Sequence, residues 1–131
     1  MPASDAELLE GFVSTVLPAD QFHHEQHVRV AWMFVRDHGM PAALGEFTAA
    51  IKRFADAKGA PGLYHETITW AFLLIVAERL ARKPAATWDA FATDNADLLS
   101  WKPSILERFY SKELLGSALA RETFVMPDLL R

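Results

Sequence analysis

Three of the five histidines in this 131-residue chain stand within one heptapeptide, Phe22-His23-His24-Glu25-Gln26-His27-Val28, and a fourth lies in Tyr64-His65-Glu66-Thr67. Imidazole is the side chain that changes charge near neutral pH, and in its neutral form it binds metals or accepts a proton. Positions 24, 27, 31, 34, 35 and 38 follow three-and-four spacing, so on a helix His24 and His27 share a face with Ala31, Phe34 and Val35 and point inward. His23 lies about 100° around the axis from His24 and turns toward the rim or solvent. His65 and Glu66 open the most apolar stretch of the chain, where polar groups need partners. Both groups fall at the starts of expected helices, where the positive end of the dipole disfavours imidazolium and favours the neutral ring.

If those two helices are neighbours with their first turns side by side, His24, His27 and His65 converge, with Glu66 as a fourth ligand or as an acid–base group. Three readings of that set stay open. In the first, His24, His27, His65 and Glu66 ligate a transition metal; nitrogen-rich ligation with one carboxylate suits zinc, iron, nickel or copper better than magnesium or calcium. In the second, no metal is bound, and His65 and Glu66 carry acid–base catalysis or the cluster binds a ligand. In the third, the cluster is a satisfied network that maintains the core. Substrate contacts are expected from Arg29, which adjoins the histidine turn and could hold an anion or form a surface ion pair. Trp32 and Trp70 lie within about two turns of the histidines on their own helices, and Phe34 and Phe72 are further candidate walls. All four tryptophans, Trp88 and Trp101 included, also suit core or interface packing. His38 suits a helix C-terminus, and Ser111 and Ser117 suit helix caps.

Several stronger motifs are missing. His24-Glu25-Gln26-His27 is one residue short of the H-E-x-x-H metalloprotease spacing, and no Glu-x-x-His element supports a carboxylate-bridged di-metal site. The chain has no G-x-S-x-G, no G-x-x-x-x-G-K and no G-x-G-x-x-G.

The elements that must position these residues read as helices. Ser4-Asp5-Ala6-Glu7 is a capping box followed by apolar residues at helical spacing, which predicts a first helix over 4–17 ended by Pro18. A second begins near Gln21 to His23, with Asp20 as its cap, and runs to Gly39. Pro41 opens a third, with Leu44, Phe47, Ala50, Ile51 and Phe54 as its stripe, ending before Gly59. The fourth, His65 to Arg82, is apolar on most of its circumference and is expected at the centre, with Pro84 closing it. Beyond it, Thr87 caps a short helix through Phe91, Asn95 another through Trp101, Pro103 opens a third through Tyr110, and Ser111 caps one further turn. No period-two alternation is sustained anywhere, so the expected fold is all-α: a compact bundle with short C-terminal helices packed on it.

Composition narrows the function classes. Apolar residues make up 51% and charged residues 23%, the balance of a folded globular chain, and 131 residues suit one domain. Thirteen Lys and Arg against seventeen Asp and Glu give a net charge of −4, which supplies no footprint for nucleic acid or acidic membranes. The absence of cysteine removes disulfides, thiolate ligands and cysteine nucleophiles. The opening MPASDAELLE lacks a basic region followed by an apolar core, and the longest apolar run, Trp70 to Ala77, is too short for a bilayer, so a cytoplasmic protein is expected.

The strings FHHEQHVRVAW and YHETITW resemble an uncharacterised bacterial family of small helical proteins, whose pattern includes F-x-H-x-x-H-[LV]-R-x-A-W and Y-H-E-T-[IL]-T. The resemblance extends from about Gln21 to the closing SKELLGSALARETFVMPDL. It implies a helical fold and points to His24, His27, His65 and Glu66, with His23 at a variable place; it implies no particular activity. The sequence thus leads to a small-molecule enzyme with a buried His/Glu site, with or without metal. The competing class is a non-enzymatic ligand-binding or interaction module whose histidines are structural.

Overall fold

The computed structural model describes residues 4–129. Ser4 and Glu7 bond reciprocally, each side chain accepting the other's backbone N–H, and this capping box starts α1 (Asp5–Val13). The helix stops four residues short of the expected Leu17. Thr15 adopts a positive φ of 66°, and the N–H of Leu17 turns back onto the carbonyl of Gly11. Asp20 is not the next cap, because it lies in a 3-10 turn over Ala19–Gln21. The helix α2 (His24–His38) is preceded by His23, whose backbone N–H donates to Gln26 Oε1 at 2.9 Å. Gly39 ends it at φ 69°, a left-handed conformation that glycine adopts at little cost.

Pro41 immediately precedes α3 (Ala42–Ala57), which buries Ala43, Phe47, Ala50, Ile51 and Phe54 as one stripe. The helix α4 (Glu66–Arg82) begins within one residue of its expected start. Thr87 caps α5 (Trp88–Asp94), one turn longer than expected. The segments expected as helices after Asn95 and Pro103 shorten to 3-10 turns, Ala96–Leu98 and Ile105–Arg108. Ser111 and Ser117 cap α6 (Lys112–Leu115) and α7 (Ala118–Glu122) through their side-chain oxygens.

These helices make an all-α fold, with no strand among the described residues. The inner pair is α2 and α4. Helices α1 and α3 pack on α2, and α3 and α7 pack on α4. Five consecutive residues of α2, Val30 to Phe34, are buried, so that helix is enclosed on more than one face, whereas Leu74 of α4 is 38% exposed. The buried apolar side chains form one contiguous cluster. Around Phe12 it is aromatic, with Phe22, Phe34, Phe47 and Phe54 in ring contact. None of the helices among the described residues is long and apolar enough to cross a membrane.

Candidate functional site

The first turns of α2 and α4 open onto one cavity of about 520 Å³. From α2 and the turn before it come Phe22, His23, His24 and His27, and from α4 and its lead-in come Tyr64, His65, Ile68 and Thr69. Ile51, Phe54 and Lys58 of α3 and its end close a third side, and Phe72 and Trp101 complete the wall next to His24. The packing of α2 against α4 brings His24, His27 and His65 to one space; spacing puts the first two on one face, and the alignment of the two helix starts brings the third. His23 is exposed at the cavity's edge, on the rim where its angular position puts it.

The three inner histidines have different bonding. His24 Nε2 lies 2.8 Å from the carbonyl oxygen of Leu98 and must donate to it, which leaves Nδ1 as the lone-pair nitrogen of the neutral ring. The ring packs on Phe72 and Trp101, and burial lowers its pKa, against a smaller upward effect of the Leu98 carbonyl. His65 caps α4: Nδ1 accepts the N–H of Ile68 at 3.1 Å, while Nε2 donates to the carbonyl of Leu115 at 2.7 Å. Both of its ring nitrogens are engaged, and the residue is buried at 7% exposure. His27 is half-buried among Phe22, Phe47 and the ring of His24, whose centroid is 6.4 Å away at an interplanar angle of 16°. Desolvation, with repulsion from His24, pushes its pKa down to about 4, so at neutral pH it is an uncharged imidazole. No hydrogen bond to its ring comes from the described residues.

This bonding corrects the four-ligand metal set. Among the described residues, no group of three or more His, Asp or Glu side chains is placed to hold a metal ion. His65 has no lone pair to offer, and Glu66 is not part of the cavity wall; its Oε1 accepts the hydroxyl of Tyr64 instead. The donor set does not fit a zinc, iron, nickel or copper centre. The same facts remove His65 and Glu66 as groups that touch a molecule in the cavity through a free lone pair.

The expected substrate contacts also lie elsewhere. Arg29 turns to Asp5, with Nε at 2.9 Å and Nη2 at 2.6 Å from one carboxylate oxygen, and ties α2 to α1. Trp32 is fully buried against Trp88 and Phe91, and Trp70 stacks on Phe124. Phe34 packs in the aromatic core, whereas Phe72 is a cavity wall as expected.

No family model, curated protein or solved structure matches the chain. Its own side chains therefore carry the functional reading, and four that matter escaped the sequence. Tyr64 stands inside the YHET string yet gives no sign that its phenol faces the cavity. Lys58 reads as a helix-end lysine before Gly59, Thr69 as a helix residue, and Trp101 as core packing, although it is 46% exposed. Their positions depend on how the α3–α4 connection and the C-terminal third fold back, which spacing within one helix does not encode.

Proposed function

We propose that the chain binds a small molecule, mostly apolar with one or two polar groups, in the cavity between the starts of α2 and α4, with His27 and His24 as its polar contacts. One observation carries this reading: His27 is neutral, without a hydrogen bond from the described residues, on the wall of a cavity otherwise built of aromatic and aliphatic side chains. His27 is half-buried and its nitrogens are open to the cavity, so a ligand's polar group can bond the ring there in place of water. A volume of about 520 Å³ is in the range of small-molecule sites, and apolar walls with a few convergent polar groups are their usual composition.

The Tyr64–Glu66 hydrogen bond favours a second reading, in which the bound molecule is also transformed. Tyr64 faces the cavity and Glu66 lies behind it, so the phenol links the cavity to a carboxylate. Burial first, and Glu66 second, raise the pKa of Tyr64, which keeps it a phenol. His27 held near 4 is a weak proton acceptor at neutral pH, and this places binding ahead of catalysis.

The test is a fragment titration followed by the imidazole resonances of His24 and His27 and by calorimetry. Compounds that bind should shift those two rings ahead of His38, and His27→Leu should weaken binding at least tenfold while remaining folded. If no fragment perturbs either ring, or if His27→Leu binds the same compounds equally well, the reading is wrong.

A further inference from the structure

The ionisable side chains that line the cavity are histidines, one lysine and one tyrosine, His23, His24, His27, His65, Lys58 and Tyr64, with no Asp or Glu among the described residues, in a chain that carries seventeen acidic residues against thirteen Lys and Arg. Lys58 is half-buried at the wall, where its Nζ donates to the carbonyl of Thr15 at 2.8 Å and lies 5.3 Å from the centre of the Phe54 ring. A carbonyl and a ring face hold an ammonium in place without neutralising it, and no carboxylate among the described residues pairs with it. Helices α2 and α4 both begin at the cavity, and the positive ends of their dipoles, offset in part by Glu25 and Glu66 in the first turns, add to the same sign of potential.

Resting on the ligand-binding reading above, we infer that the cavity's ligand is an organic acid: an apolar body seated against Phe22, Phe54 and Phe72, with a carboxylate or similarly acidic group held between Lys58 and the histidine wall. A neutral ligand would leave the Lys58 ammonium without a counter-charge, and a cationic one would face an ammonium and two helix N-termini. An acidic group meets a full positive charge, and His27, the inner imidazole whose N–H is not committed to a backbone carbonyl, supplies a donor of the kind a carboxylate accepts.

The experiment compares 3-phenylpropanoate with 3-phenylpropanamide, near-isosteres that differ in charge, by calorimetry on the full chain at neutral pH. The acid should bind at least tenfold tighter than the amide. Lys58→Met should erase most of that preference, and Lys58→Arg should keep it. Lys58 is at the cavity wall and outside the buried core, so both variants should fold, and circular dichroism checks that they do. If the amide binds as tightly as the acid, or if Lys58→Met leaves the preference intact, the acidic class is wrong while the cavity still binds small molecules. If neither compound binds, and neutral fragments such as phenol or indole still shift the His24 and His27 rings, the outcome again overturns the acid alone. Should no compound of either kind perturb those rings, both the acid and the binding reading fall.

Discussion

Lowering the pH from about 7.5 to about 5 should destabilise the ligand-free protein, chiefly through His27. Desolvation holds its folded-state pKa near 4, below the 6.5 of a histidine free in solution. The unfolded chain therefore binds more protons between those two values. Stability is full above about 6.5, falls as the pH drops toward 4, and levels off below it. At about 1.36 kcal/mol per pKa unit, the whole displacement corresponds to about 3 kcal/mol, of which about 2 kcal/mol is realised by pH 5. His24 is displaced in the same direction by burial and adds to the slope. The lowered carboxylates, Glu7, Asp37, Asp97 and Asp128, lose their stabilisation chiefly as the pH falls below about 4.5 and leave this window nearly clear. Urea unfolding of wild type and His27→Leu at the two pH values measures the difference directly. The wild type should lose about 2 kcal/mol more than the variant on acidification, within the 5–15 kcal/mol total typical of a domain. Parallel pH profiles for the two proteins would refute the buried-imidazole account of the cavity wall.

Two further outcomes follow from the bonding of the second motif. His65→Ala removes a helix cap and leaves the half-buried carbonyl of Leu115 without its donor, so stability should fall by about 1–3 kcal/mol in urea unfolding; His65→Asn, which can still cap α4, should recover part of that loss. Glu66→Gln keeps an oxygen that can accept the Tyr64 hydroxyl and lies outside the cavity wall, so calorimetry should find ligand affinity within about twofold of wild type. Melting should show only the 0.3–1 kcal/mol or so typical of a charge at a helix N-terminus. A turnover assay in which Glu66→Gln loses activity at unchanged affinity would favour the transforming reading over simple binding.

What was legible in the sequence is what a single helix encodes. Three-and-four spacing placed His24 and His27 on one inward face, and the Ser4–Glu7 box, Gly39, Pro41 and Thr87 marked helix ends because each acts on its immediate neighbours. The end of α1 was missed because Thr15 takes up a left-handed conformation that its residue type does not announce. Nearness to the histidines along the chain points to Trp32, Trp70 and Arg29 as site residues. Adjacency along a helix axis is not adjacency around it: Trp32 faces Trp88, Arg29 faces Asp5, and neither reaches the cavity. The partners of His24 and His65 lie 74 and 50 residues away, in the C-terminal third, where the elements are too short for periodicity to give them a face.

Those distant partners explain why a histidine motif can occupy a helix start without assembling a metal centre. His24 fastens the carbonyl of Leu98, and His65 fastens that of Leu115, so the first turns of α2 and α4 each clamp a separate stretch of the C-terminal third against the inner helix pair. Thr67 extends the same clamp, donating to the carbonyl of Thr123 and accepting the N–H of Val125. A clamping histidine donates from Nε2; in His65 the accepting Nδ1 requires the neutral ring, and in His24 burial favours it. The fold thus fixes the tautomers of His24 and His65 through backbone carbonyls. Of the three inner histidines, His27 is the one whose ring takes no hydrogen bond from the described residues, and it stands on the cavity wall, where a ligand can bond it.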